Sequence, residues 1–253
     1  MQFSSQRPNV ALPLRPLPTI RVRALRDCSA GSIVVSPPGC DDMGAVLQGL
    51  GFSFLQASDG DAFKAALSSA RVAFLNCCGV SAEPEIIDGL RSCLQLGGVV
   101  YASDFTADCL EALGIQGLGF YPRQGVPRTV KAQLIDPELK VAMGRDCVDI
   151  QFDLSGWVLV KHLPNRARVL LRATVTLEDA QSGSFELVQQ PLAFSLPVGR
   201  GIVFFTSFHN RAQITGVEKG LLSSVAVKTI AVAMGKTMQQ VITERRLSQQ
   251  CRG

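Results

Sequence analysis

Between Ile33 and Gly114 the sequence alternates between short apolar runs and longer amphipathic runs, a pattern that few folds can accommodate. The apolar runs have the length and β-branched content of strands, whereas the runs between them have the length of helices. Repeated strand–helix units build a mainly parallel sheet with helices covering its faces. The predicted strands are residues 33–36, 52–58, 71–79 and 99–105, each followed by a predicted helix. The sequence therefore predicts an α/β fold.

The helix ends in this region have the residues that helix termini require. Asp41 and Asp42 precede the first helix, where carboxylates accept bonds from unpaired backbone N–H groups. Pro84 stands in the first turn of the third helix, where its missing N–H is harmless, and Gly97 with Gly98 ends that helix. These signals support the predicted order of elements.

After Gly114 the pattern changes, and residues 115–198 predict antiparallel strands joined by turns rich in glycine and proline. We expect this segment to be an all-β insertion. The chain then returns to the main sheet with the apolar run GRGIVFFTSFHN, residues 199–210. Residues 217–247 have helical spacing of apolar side chains, and Gly235 is expected to bend or split that helix.

Charge is distributed unevenly along the chain. Residues 1–27 contain five of the 25 basic side chains and one of the 21 acidic ones, so residues 28–253 carry twenty of each. A neutral body argues against a nucleic-acid surface, which needs clustered lysine and arginine. We expect residues 1–30 to be a basic, proline-rich arm and residues 31–253 to be a single domain. The prolines disfavour an organellar transit peptide, which needs an amphipathic helix.

Cysteine usage indicates the compartment. The eight cysteines contain no CxxC pair, which favours reduced thiols and a cytoplasmic location. With only two histidines and no ligand-like spacing, we expect neither a bound metal nor a cofactor. No apolar run approaches the roughly 20 residues that a membrane-spanning helix needs, so no membrane partner is expected.

Three segments together resemble a known family. The helix ending at Gly97–Gly98, the strand VVYASDF (99–105) and the run at 199–210 resemble the class I glutamine amidotransferase-like superfamily, particularly its trehalose-utilisation (ThuA-like) branch. The resemblance covers roughly residues 33–114 and 198–235. It implies a flavodoxin-like, doubly wound, mainly parallel sheet, with the antiparallel β-rich segment as an insertion.

The resemblance also locates the positions where catalysis would take place. In catalytic members a sharp turn after the strand bears a cysteine nucleophile, and the final strand provides a histidine and, two residues later, a glutamate. These positions are occupied here by Ala102, Ser103 and Asp104, and by His209, Asn210 and Arg211. The histidine matches, but the cysteine and the glutamate do not, so the resemblance implies an amidotransferase-like domain that has lost its activity.

In a parallel sheet, the loops after the strands converge on one edge, where ligands usually bind. The predicted catalytic candidates at this edge are His209, Ser103 and Asp104. The predicted ligand-binding residues there are Gly39, Cys40, Asn76, Cys77, Cys78 and Asn210. Together they form the candidate site.

Each candidate also has a structural interpretation. Ser103 and His209 could form a hydrolase pair with Asp104 or Asp108 orienting the imidazole, but Ser103 and Asp104 could instead cap the helix starting at Thr106. Cys77 or Cys78 could be a nucleophile, but either could be a small apolar group at a strand end. His209 could equally hold loops together through hydrogen bonds.

The sequence predicts a non-catalytic binding or assembly module, a pseudoenzyme whose partner is another protein or a small molecule. The alternative is a hydrolase or sugar-related enzyme that uses Ser103 or Cys77/Cys78 with His209. Sheet-forming insertions often build dimer contacts, so residues 115–198 are expected to support a homodimer.

Overall fold

The strand–helix units form the first half of one large sheet. The structure, a computed structural model, describes residues 32–121, 126–153, 156–179, 183–209 and 216–250. The first strands are β1 (Ile33–Val35), β2 (Leu55–Gln56), β3 (Val72–Leu75) and β4 (Val99–Ser103). The helices that follow them are α1 (Met43–Gly49), α2 (Gly60–Leu67), α3 (Pro84–Gln95) and α4 (Ala107–Ala112). These strands run parallel to one another, as the sequence predicts.

Local chemistry explains the helix starts. The Asp42 carboxylate accepts a bond from the Ala45 N–H at 3.0 Å, and Asp59 accepts from the Ala62 N–H at 2.8 Å. Pro84 begins α3 as predicted. The second strand is shorter than its predicted range because only Leu55 and Gln56 pair with β1, and both are exposed.

The second half of the chain extends the same sheet with antiparallel strands. These elements are β5 (Gly119–Phe120), β6 (Arg128–Leu134), α5 (Pro137–Met143), β7 (Cys147–Phe152), β8 (Val160–His162), β9 (Arg168–Asp179), β10 (Gly183–Val198) and β11 (Gly201–Thr206). The nine strands lie in the order β2-β1-β3-β4-β11-β10-β9-β6-β7, while β5 and β8 form a separate pair. Strand β11 runs parallel to β4, and β10 turns back antiparallel to β11.

The prediction that residues 115–198 are all β is wrong at one point, because α5 lies between β6 and β7. Asp136 caps this helix by accepting from the Leu139 N–H at 3.0 Å, and Pro137 occupies its first turn. Gly144 ends it with a left-handed φ of 62°, which glycine adopts at no steric cost. The segment is short enough that its helical period is masked by the alternating strands around it.

The chain ends in two helices, α6 (Gly216–Ala233) and α7 (Met238–Gln250). Gly235, with a φ of 63°, separates them, so the predicted break at this residue is present. Within the described residues, no single helix is long and apolar enough to cross a membrane. The two helices together would pass that test on length and composition, but they bend by 96° and most of α6 is buried.

Candidate functional site

The loops that follow β1 and β3 touch closely at the carboxyl edge of the sheet. A Cβ atom on Gly39 would collide with the Cys77 carbonyl oxygen, and one on Gly79 would collide with the carbonyl oxygen of Pro37. The Cys40 N–H donates to the same Cys77 carbonyl at 2.8 Å. Glycine at these two positions therefore lets the two loops form one continuous edge.

Asn76 joins these loops with every polar group of its side chain. Its Oδ1 accepts from the Met43 N–H at 2.8 Å, and its Nδ2 donates to the Ser36 carbonyl at 2.8 Å and to the Pro37 carbonyl at 3.2 Å. Its own N–H donates to the Ser36 hydroxyl at 2.8 Å. The predicted ligand-binding residue is thus a buried structural cross-link, and its role toward a ligand stays a prediction.

Asp104 lies in the sharp turn after β4 and is one of the three residues, with Ala102 and Ser103, where the family resemblance places a nucleophile. Its φ is 43°, a conformation that non-glycine residues rarely adopt and that recurs at functional turns. The side chain is buried, and its Oδ1 accepts from the Val158 N–H at 3.0 Å. Its Oδ2 lies 3.5 Å from His209 Nδ1 and accepts from the Cys77 thiol at 3.9 Å.

His209 is buried between two carboxylates. Its Nδ1 faces Asp104, and its Nε2 lies 3.2 Å from Asp153 Oδ1. Burial alone lowers the pKa of His209, but the Asp104, Asp41 and Asp153 carboxylates outweigh it and raise that pKa above its ordinary value of 6.5. Two acceptors facing both ring nitrogens fit the doubly protonated imidazolium.

Ser103 is fully buried and makes different contacts from those that a hydrolase pair needs. Its hydroxyl donates to Asp41 Oδ2. Its N–H donates to Thr106 Oγ1 at 2.8 Å, and that hydroxyl donates back to the Ser103 carbonyl at 2.9 Å. These bonds close the 3₁₀ turn Asp104–Thr106 that precedes α4, so Ser103 takes part in the predicted cap, whereas the Asp104 carboxylate faces Val158, Cys77 and His209.

Three thiols meet beside this cluster. Cys40 Sγ lies 2.7 Å from Cys78 Sγ, and Cys77 Sγ lies 3.7 Å from Cys78 Sγ. Cys77 is buried, and its burial together with the Asp104 carboxylate raises the pKa of the thiol well above its ordinary range. Cys78 is exposed and has a φ of 62°. Cys77 is thus a protonated thiol at neutral pH.

The structure brings most of the predicted site residues together. His209, Asp104 and Cys77 have ligand atoms within 4.8 Å of one another, and so do Cys40, Cys77 and Cys78. Either set has donors that a soft transition metal accepts, although in the first set Asp104 and His209 already contact each other. Asn210 lies outside the described residues.

Sequence reasoning missed two contributors from the insertion. Asp153 follows β7, and Val158 lies in the segment between β7 and β8, far along the chain from Asp104. Asp41 was expected as a helix cap in the loop at this edge, and its carboxylate accepts from the Ser103 hydroxyl. No local pattern marks Asp153 or Val158, because only the packing of the insertion against the parallel half brings them to the site.

Comparisons with known proteins bear on the fold. No protein-family model and no curated protein sequence matches the chain. A ThuA-like protein from Bacteroides uniformis is similar in structure, with 13% identity, a TM-score of 0.57, and coverage of 81% of this chain and 91% of that one. The N-terminal domain of mmIFT52 is also similar, at 10% identity, a TM-score of 0.53, and coverage of 78% and 96%.

A GMP synthase subunit from Thermoplasma acidophilum gives a further match, at 12% identity, a TM-score of 0.51, and coverage of 86% and 96%. At these identities the likeness concerns the fold. The prediction of a flavodoxin-like, mainly parallel α/β sheet with an antiparallel β-rich insertion is therefore confirmed. The chain has the fold of ThuA-like and glutamine amidotransferase-like proteins.

Proposed function

We propose that this chain is a non-catalytic binding or assembly module built on the amidotransferase-like fold. One observation carries the proposal: the groups at the catalytic positions are bound by other groups of the same chain. Asp104 occupies the turn of the nucleophile and is bonded to Val158, while His209 is enclosed by Asp104 and Asp153.

The protonation of His209 supports this proposal. An imidazole accepts a proton from a nucleophile only when it is neutral. The carboxylates facing both ring nitrogens favour the charged form, and they raise the pKa of His209. The neighbouring Cys77 thiol has a raised pKa as well, so both His209 and Cys77 are biased toward their protonated forms, which suit neither a general base nor a nucleophile.

The insertion supplies the second line of support. Ligands of doubly wound sheets bind in the crevice at the carboxyl ends of the strands. Here Val158 and Asp153, both from residues 115–198, contact the buried ionisable groups at that edge. The insertion therefore occupies the place where a substrate would approach Asp104 and His209.

For the assembly role we propose a second copy of this chain as the partner. In the described part of the sheet, β7 and the two-residue β2 are the edge strands, and a strand of six residues at an edge, such as β7, can pair with a strand of another chain. The side chains of β7 alternate between exposed and buried, so pairing of two copies would keep both cores intact. Light scattering should give a dimer mass, and a monomer at micromolar concentration would contradict this partner.

The non-catalytic proposal is tested by activity. We expect glutaminase and esterase turnover of the full chain to equal that of His209→Ala, with His162→Ala as the control at the other, exposed histidine. Turnover that disappears in His209→Ala but persists in His162→Ala would overturn the proposal. The dimer and the missing activity are separate results, so either can fail without the other.

The alternative is a hydrolase that uses Cys77 with His209, and one observation favours it. The thiol, the Asp104 carboxylate and the imidazole lie within 4.8 Å of one another, which is the composition of a nucleophilic triad. A thiol probe distinguishes the two functions. The binding module predicts labelling of the exposed Cys78 and Cys147, whereas selective labelling of the buried Cys77 would support the hydrolase.

A further inference from the structure

The thiols of Cys40 and Cys78 form a site that the proposed function does not use. Their sulfur atoms are 2.7 Å apart, well inside the van der Waals separation of two sulfurs, although 38 residues separate them along the chain. Cys40 follows β1 and Cys78 follows β3, and these strands are hydrogen-bonded neighbours in the sheet. The fold itself therefore keeps the two thiols together.

We propose that Cys40 and Cys78 are an oxidant-sensitive pair that closes reversibly into a disulfide. A disulfide needs its sulfurs about 2.05 Å apart, so the two atoms have to approach by only about 0.7 Å. The backbones are already joined by the bond from the Cys40 N–H to the Cys77 carbonyl at 2.8 Å. Closure thus needs side-chain rotation with little movement of either loop.

Exposure and protonation determine the order of the reaction. Cys78 is exposed, so its sulfur is the one that an oxidant in solution reaches first. Burial and the neighbouring Cys78 raise the pKa of Cys40 to about 11, so Cys40 holds its proton at neutral pH. Cys78 is therefore the attacking sulfur, and Cys40 resolves the product.

The oxidant we name is a peroxide. The Cys78 thiolate attacks one peroxide oxygen, the O–O bond breaks, and the leaving oxygen departs as water or an alcohol after taking up a proton. The Cys40 sulfur then attacks the sulfenic acid at Cys78, an S–S bond forms, and water leaves with the Cys40 proton. Two electrons and two protons pass from the thiols to the peroxide, and a thiol reductant reverses the change.

The third thiol, Cys77, competes poorly with Cys40 for the disulfide bond to Cys78. Cys77 Sγ is farther from Cys78 Sγ, at 3.7 Å, and adjacent cysteines bridge only with distorted geometry. Cys77 is also buried and faces Asp104, which keeps its thiol protonated. The pairing is therefore expected to be selective for Cys40 over Cys77.

The experiment uses the full chain with Cys28, Cys147 and Cys251 replaced by serine, so that the three thiols of the edge and the buried Cys93 and Cys109 are the cysteines that remain. The protein is treated with hydrogen peroxide, free thiols are blocked with N-ethylmaleimide, and peptides are identified by mass spectrometry. We expect Cys40 and Cys78 in one linked peptide pair that dithiothreitol separates, with Cys77 and the buried Cys93 and Cys109 unlinked. The midpoint of urea unfolding should rise on oxidation and return on reduction.

Two matched variants make the result specific. Cys78→Ser should abolish both the linked peptides and the shift in unfolding midpoint, whereas Cys93→Ser should leave both unchanged. Circular dichroism of each variant before oxidation establishes that it is folded. Blocking of Cys40 and Cys78 as separate thiols after peroxide, or linkage of Cys78 to Cys77, would overturn the proposal. Stoichiometric zinc or copper that protects all three thiols would also overturn it and assign a metal site instead.

Discussion

The two halves of the sheet bury their side chains in different ways. Every residue of β3 and β4 is buried, because helices cover both faces of the parallel half. In β6, exposed Thr129, Lys131 and Gln133 alternate with buried neighbours, so one face of the antiparallel half meets solvent. That face contains a polar groove lined in part by Arg128, Lys131 and Arg172. The same sheet therefore combines a two-sided core with a one-sided surface.

The difference explains where the candidate site lies and why it is closed. The parallel half provides the carboxyl edge with Asp104 and the end of β11 with His209. The antiparallel half is joined to the same sheet, and two of its residues contact that edge: Asp153 lies against His209, and the Val158 N–H donates to Asp104. Both Asp104 and His209 are buried at this edge.

The largest predicted effect tests whether the parallel half is buried on both faces and the antiparallel half on only one. Phe74→Ala and Leu75→Ala, neighbours on opposite faces of β3, should lower the free energy of unfolding by roughly 3–5 and 2–5 kcal/mol, because both leave cavities. On β6, the buried Leu134→Ala should lower the free energy of unfolding by roughly 2–5 kcal/mol. The exposed Gln133→Ala should change it by no more than about 0.5 kcal/mol. Urea unfolding measures all four. Equal costs at Gln133 and Leu134 would remove the distinction between the halves.

A smaller effect tests the contact between the halves. Asp104→Ala leaves the Val158 N–H without its acceptor and removes one carboxylate from His209, so we expect a loss of roughly 3 kcal/mol in the free energy of unfolding. Asp104→Asn keeps an acceptor oxygen and should lose less. The control Asp149→Ala, at an exposed position of β7, should stay within about 0.5 kcal/mol. If Asp104→Ala unfolds like the wild type, the halves are not joined through this residue.

The smallest effect is the pH dependence of the same contact. The pKa of His209 is higher in the folded chain than its ordinary 6.5, so its charge stabilises the fold fully below pH 6.5. That contribution is lost as the pH rises through the folded pKa. The stability difference between wild type and His209→Gln should therefore be larger at pH 6 than at pH 9. The exposed His162→Gln serves as the control, and a difference that grows with pH would contradict the arrangement.

The parallel half was largely predictable because its signals are local. Apolar runs, the aspartates before α1 and α2, Pro84 in α3 and the break at Gly235 all act within a few residues of where they stand. The edge that collects Cys40, Cys77, Asp104 and His209 followed from the rule that parallel strands share a direction. Helix α5 was missed because a seven-residue helix has too few turns to establish its period.

By itself, the sequence determined the order of strands and helices in the parallel half, the parallel pairing of those strands, and the histidine that follows β11. Only the tertiary structure decided what His209 and Asp104 touch. Their partners Asp153 and Val158 lie in another part of the chain, and no periodicity or cap signal encodes a contact over that separation. Burial makes these contacts necessary, because a charged or polar group is stable in the interior only where the fold supplies a partner for it.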